Sequence, residues 1–388
     1  MTREFPLVTL HPVSDLRNAW VALMLGTAPA DDAAVARLFA EFELGDALGP
    51  LPCIVTPADP AAVDAALPAT RVVLRLPVDY CCDPAHDEDL HALRARGFRL
   101  LAEGMPTPGR HLSDAIPALA LDCPGAYAPA AIAAWLSRLP GPHLALSIAA
   151  GGCPPNCHFQ WLAAGVHGKE QHGDHGRAID APSRLLLLEL LSKVANDADS
   201  HEIEATIKRD PQLSYYLLKL VNSVGFALTS KITSFNQAIT LLGRRQLQRW
   251  LQLLLYARTR DGDKANALLP RAAMRAGLAE ALCNAGCASR DMHDRAFMAG
   301  MFSLLDQLFG MPIEEIVGPL NLADDVQAAL TSRGGPLGAI LRAVEAGEDP
   351  HAQESLPGLL RDVGIGAETW ARCLVSACKW AVLVSSEA

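Results

Sequence analysis

Between Asp210 and Tyr256 the chain carries three short apolar-periodic segments, each with its own start and stop signal, DPQLSYYLLKLVNSVGFALTSKITSFNQAITLLGRRQLQRWLQLLLY. Asp210 can cap a helix that opens on Pro211, where the missing N–H costs nothing. Leu213, Leu217, Leu220 and Val221 recur at helical spacing, and Gly225 supplies a stop. Ser234 and Gln237 form a capping box for a second helix whose apolar face is Ala238, Leu241 and Leu242, ended by Gly243. A third helix buries Leu247, Trp250 or Leu251, and Leu254. Short, sharply capped helices joined by small residues predict a packed helical domain. The stretch contains no nucleophile, acid–base pair or metal cluster.

The segments DPQLSYYLLKLVNS, KITSFNQAITLLG and LQRWLQLLL, in that order, resemble the HDOD domain, a bacterial signalling module related to HD phosphohydrolases. Asp-Pro, Leu-Leu, Val-Asn-Ser and the Ser–Ala–Leu-Gly run carry the resemblance. It continues through Arg290–Gly310 and LNLADDVQAALTSRGGPLGAIL, roughly the last 200 residues of the chain.

Half of the 388 residues are hydrophobic, enough for two buried cores. Thirty-three basic against 43 acidic residues give a net charge of −10, which argues against a nucleic-acid binder relying on phosphate neutralisation. MTREFPLVTL lacks the pattern of a signal peptide, and no uncharged apolar run reaches the ~18 residues that span a bilayer, so a cytoplasmic protein off the membrane is expected. Ten cysteines in such a chain read as reduced and buried.

The first 165 residues have a different texture. Apolar runs stand at Leu7–Leu10, Trp20–Leu25, Cys53–Thr56, Arg71–Leu76, Phe98–Ala102, Ala118–Leu121 and His143–Ile148. Ala-rich stretches suited to helices, Asp31–Phe42 and Pro129–Arg138, lie between some of them. Alternating strand and helix predicts an α/β domain with a parallel sheet, or a barrel shorter than the usual eightfold kind of about 250 residues.

The order of these runs resembles a shortened EAL domain, the barrel that hydrolyses cyclic di-GMP. HPVSDLRNAWVALML matches the family's opening Gln-Pro-Ile, Glu-Ala-Leu and Arg; RVVLRL, GFRLLAEGM, ALALD and LALSIA match later strands. That family's chemistry needs several carboxylates at strand ends, holding divalent metals that activate water. Here the motif glutamate is Val21, the motif arginine Leu25, and the second-strand glutamate Arg75. The Asp-Asp pair becomes Glu103-Gly104, the lysine Ala120 and a late glutamate Ala149. Only Glu103 and Asp122 stay acidic, so a degenerate barrel without catalytic residues is expected. Loss of a phosphate-pairing cation at Leu25 argues against a grip on the dinucleotide.

HD hydrolases hold metal through separated histidines and an adjacent His-Asp pair. His86–Asp87 reads as part of a solvated acidic turn, and His293–Asp294 as a helix start with Asp291 or Asp294 as cap or first-turn acid. The resemblance places the metal pair one helix later, where Ser303 and Leu304 leave Asp306 alone. A second cluster, Cys153, Cys157, His158, His167, His172 and His175, has two readings: a hydrophilic linker with histidines, or a zinc site. Cys283 and Cys287 read as core residues of a helix.

The predicted organisation is a degenerate EAL-like domain at 1–165, a linker at 166–182 and an all-α HDOD domain at 183–388, with Ser183 capping Leu185–Leu191. Trp370–Val384 reads as an apolar helix packed on the HDOD bundle or on a second copy of the chain. The expected role is a non-catalytic adaptor without cofactor, engaging other signalling proteins. The alternative is a residual cyclic di-GMP or metal sensor. Asn222, Ser223, Lys231 and Ser234 form the expected partner surface, a small polar loop between capped helices; caps alone also explain Asn222 and Ser234. Arg244 and Arg245, with Arg249, could touch a nucleic acid or an acidic partner, or line a solvated helix face.

Overall fold

The computed structural model describes residues 5–28, 30–63, 66–123, 129–148, 157–163, 186, 189–190, 192–193, 198–209, 249, 252–253, 256, 267–286, 289–320, 322–349 and 352–385. The chain divides into two compact units. The first is Met1–Gln171 with Gly347–Gln353 and Gly366–Val375; the second is His172–Ala346, Glu354–Ile365 and Ser376–Ala388.

The first unit is a closed barrel of eight strands in sequence order: β1 Leu7–Ser14, β2 Trp20–Ala28, β3 Cys53–Val55, β4 Val72–Pro77, β5 Arg99–Glu103, β6 Ala118–Cys123, β7 Leu144–Ile148 and β8 Trp161–Ala163. Seven fall on the apolar runs. Strands β2 to β8 run parallel and β1 is antiparallel to both of its neighbours. Leu23, Ile54, Leu74, Leu76, Leu119 and Leu144 are wholly buried, as β-rich apolar runs in a sheet covered on both faces require. The helices are α1 Asp32–Ala40, α2 Leu44–Ala47, α3 Val78–Cys81, α4 Asp87–Ala95 and α5 Pro129–Arg138. Asp31 caps α1 by accepting from the Ala34 N–H at 3.1 Å. The connection from β5 to β6 contains no helix.

The barrel closes narrowly, since β8 pairs with β1 only at Val13 and Ser14. The indole of buried Trp370 donates to the Val8 carbonyl at 2.7 Å, satisfying a strand group far from that pairing. Beside it, the His11 Nε2 lies 3.2 Å from the Gln353 amide nitrogen. Arg37 of α1 meets Glu368 at 3.5 Å, and Arg372 lies over the Phe42 ring at 4.2 Å. The expected C-terminal helix exists, but its first half completes the barrel unit, because β1 offers an incompletely paired strand for it to cover.

Among the described residues of this unit, His11 and His143 are buried. His143 accepts from the Leu119 N–H through Nδ1 at 3.2 Å, and its Nε2 is 2.9 Å from the Leu136 carbonyl it donates to. Burial holds the His143 pKa below its ordinary value, outweighing the carbonyls of Leu136 and Leu139. Burial also lowers that of His11, against the opposing pull of Glu348 and Asp349.

The second unit is helical among its described residues. Its elements are α6 Ser200–Lys208, α7 Leu268–Ala285, α8 Arg290–Phe302, α9 Leu305–Phe309, α10 Ile313–Val317, α11 Asp324–Ser332, α12 Gly335–Glu348 and α13 Leu356–Asp362, joined by the later half of α14 Ala367–Ser385. α7 and α8 cross with their backbones nearly touching: a Cβ on Gly300 would stand 2.6 Å from the Arg275 carbonyl oxygen. On the other side of α7, a Cβ on Gly277 would be 3.3 Å from the Ala377 Cα of α14. Small residues therefore set these crossings. Tyr256, Phe302, Phe309 and Leu305 fill the core, and the Tyr256 hydroxyl donates to the Met301 carbonyl at 2.5 Å. Among the described residues no single helix is long and apolar enough to cross a membrane.

Candidate functional site

In barrels of parallel strands, chemistry collects at the C-terminal ends of the strands. Here those ends bring together Thr56 after β3, Arg75 of β4 and Glu103 of β5, with Asp122 of β6 and Ser147 of β7 alongside. The Arg75 Nε donates to the Thr56 Oγ1 at 2.8 Å and lies 3.3 Å from a Glu103 carboxylate oxygen. Its Nη1 reaches the Met24 sulfur at 3.6 Å. Asp122 accepts from the Ser147 hydroxyl at 2.7 Å. Of the two acids expected to remain, Glu103 has an arginine on it and Asp122 a hydroxyl.

The substituted positions are packing positions. Leu25 and Ala120 are buried, and Val21 is half-buried. Gly104 has φ +101°, and a Cβ there would meet the Val78 Cγ1 at 3.0 Å. Its N–H donates to the Ala120 carbonyl. An aspartate at this position would combine unfavourable backbone geometry with crowding. Ala149 lies outside the described residues.

The helical unit has a cluster of similar design where the resemblance places the metal pair. Ser303 is buried, donates to the Gly300 carbonyl at 2.8 Å and accepts from the Arg275 Nη1 at 3.0 Å. Arg275 also pairs with Glu345 at 3.2 Å, and Glu345 in turn with Arg333 at 2.7 Å. Leu304 is fully buried, and the Asp306 Oδ1 is buried with no hydrogen-bond partner among the described residues. Arg275 was absent from the sequence reading. Its signal was an arginine in the middle of the Ala- and Leu-rich run of α7.

The first His-Asp pair opens a helix where a solvated turn was expected, and the second lies near a helix start as expected, with a serine as its cap. His86 stacks on Tyr80 with centroids 3.9 Å apart, and Asp87, Glu88 and Asp89 form the first turn of α4. The acidic run is thus a helix start, where carboxylates complement the helix dipole. At the other pair, Ser289 is the cap of α8 and Asp294 instead faces Arg249 at 3.3 Å. Arg249 also pairs with Glu280 and lies 4.5 Å from the Phe297 ring centroid.

Cys157 is buried and His158 exposed; Cys153, His167, His172 and His175 lie outside the described residues. Among the described residues no three His, Cys, Asp or Glu side chains converge as a metal site, and the cysteines form no disulfide. Burial raises the thiol of Cys81 to about 12 and that of Cys373 to about 11, as inert core thiols require. Asn222, Ser223, Lys231, Ser234, Arg244 and Arg245 all lie outside the described residues, as does the stretch expected as linker.

Among known proteins, the chain is similar to the cyclic di-GMP phosphodiesterase CdgJ of Vibrio cholerae, 31% identical over 201 residues, covering 52% of this chain and 46% of that protein. It is also similar to the uncharacterized protein YuxH of Bacillus subtilis, 37% identical over 145 residues, 37% of this chain and 35% of that one. The chain thus spans less than half the length of either curated relative. A solved Shewanella amazonensis structure aligns over 57% of this chain and 98% of its own, at 14% identity and a TM-score of 0.39, too slight a likeness to assign a fold. Residues 185–311 match the HDOD domain and are identified as one.

Proposed function

We propose that the chain is a non-catalytic signalling adaptor: a barrel of EAL ancestry that no longer hydrolyses cyclic di-GMP, carried with an HDOD domain lacking the HD metal pair. The observation that carries this reading is Arg75. Its guanidinium lies 3.3 Å from Glu103, where a hydrolytic barrel would need a divalent cation. A fixed positive charge on the carboxylate competes with a metal for the same lone pairs, and it cannot activate water as a metal does. The similarity to CdgJ supports a place in cyclic di-GMP signalling without extending that protein's activity to this chain. Partners are other signalling proteins, engaged through the segment around Asn222, Ser223, Lys231 and Ser234.

The test is hydrolysis of cyclic di-GMP by the full chain with magnesium or manganese. No turnover is expected. Metal-dependent turnover that disappears in Glu103→Gln overturns the reading. Saturable cyclic di-GMP binding without turnover moves the function to nucleotide sensing.

A further inference from the structure

In a barrel of parallel strands, a helix normally follows each strand and covers the outside of the sheet. α4 precedes β5 and α5 follows β6, but the connection between those strands is extended and turn-like throughout. A groove of about 930 Å³ lies there. Its walls come from Arg94 of α4, from Trp135 and Arg138 of α5, and from Met105, His111 and Leu139.

The lining has two chemical characters. Trp135, Met105 and Leu139 are half-buried, leaving apolar surface along the groove. Around it stand three guanidiniums, those of Arg94, Arg110 and Arg138, against one lining carboxylate, Asp114. Arg94 donates to the backbone carbonyl of Asp114 at 3.2 Å, a neutral partner that leaves its charge in place. Arg110 is paired with Asp79 at 3.1 Å. Arg138 is exposed and lies over the Trp135 ring at 4.7 Å. On a chain of net charge −10, this is a locally basic, aromatic groove.

We infer that the groove receives an amphipathic helix from a partner protein, apolar along one face and acidic on its flanks. Shape and charge both point to that occupant. The gap is the position a barrel helix would fill, and helix-in-groove recognition places apolar anchors at i, i+3 or i+4 and i+7. Trp135 is the anchor surface, since half-buried aromatics dominate such contacts. Arg94 and Arg138 meet the flanking carboxylates and set the approach and specificity. The inference rests on the adaptor reading and adds a second docking surface to it, on the barrel.

The test uses the full chain and a fluorescein-labelled peptide of about 18 residues, roughly five turns. The peptide carries leucines at helical spacing and glutamates on both flanks; a control replaces every glutamate with lysine. Saturable binding of the acidic peptide is expected, at least about tenfold weaker for Arg138→Glu and for Trp135→Ala, with no binding of the lysine peptide. Arg138 is exposed, so Arg138→Glu keeps the melting temperature and reports binding alone. Equal binding of both peptides, unchanged affinity in both variants, or no binding up to about 1 mM overturns the inference. So does a self-associating chain that Arg138→Glu turns monomeric, which would assign the groove to a second copy. None of these outcomes touches the cyclic di-GMP assay, so failure here is distinct from failure of the non-catalytic reading.

Discussion

Arg75 in the barrel and Arg275 in the helical unit have the same kind of neighbours, a carboxylate and a hydroxyl, in different surroundings. The Arg75 side chain is 20% exposed and Glu103 41%, so water shares their charges. The Arg275 side chain is only 8% exposed, between Ser303 and Glu345 and under the α7–α8 crossing. At a strand end, an arginine can replace acidic chemistry with little effect on the fold beneath it. In a helical core the same residue type holds elements together. One substitution is a change of site, the other a part of the architecture.

The sharpest way to break that contrast is to remove each arginine in turn. Arg275→Ala removes a buried guanidinium and its bonds to Ser303 and Glu345, while Arg333 still holds Glu345, and a loss of about 2–3 kcal/mol in urea unfolding is expected. A loss below about 1 kcal/mol would show that the core cluster is no more structural than the barrel one. Trp370→Phe keeps most of the packing and removes the donor to Val8. It should cost about 1 kcal/mol, read as a lower barrel melting temperature.

Acid should also act on the barrel. His11 and His143 are held neutral by burial, with folded pKa values below the ordinary 6.5, so the unfolded chain binds more protons as the solution acidifies. Their contribution is complete above pH 6.5 and is lost as pH falls from there through the depressed folded values. Melting curves at descending pH should show this, and a His143→Gln variant should flatten part of the slope. The smallest effect is expected for Arg75→Gln: a stability change below about 1 kcal/mol, with cyclic di-GMP turnover still absent. If freeing Glu103 in this way restored metal-dependent turnover, Arg75 alone would be what silences the barrel.

Local pattern told most of the strands. Seven apolar runs became strands, and Asp31–Phe42 and Pro129–Arg138 became α1 and α5 nearly in place. Strand β8 was missed because Trp161–Ala163 is three residues long and follows a stretch rich in Cys, His and Gly. β1 extends beyond the Leu7–Leu10 run to Ser14, through Pro12, which lacks a ladder donor. The candidate sites were legible as losses and not as gains. Counting missing acids located Arg75, but its contacts with Thr56 and Glu103 depend on the register of three strands. Arg275 and Ser303 are 28 residues apart and meet only because Gly300 lets two helices touch.

Trp370 reaches Val8 across 362 residues of chain. During synthesis, β1 therefore emerges 362 residues ahead of the side chain that donates to its Val8 carbonyl. Until then the nascent barrel presents strand groups able to pair with a neighbouring chain. A ribosome stalled within the helical half would release a barrel with its seam open. The cell's holding factors, and not the chain, would have to guard that edge while those 362 residues are made.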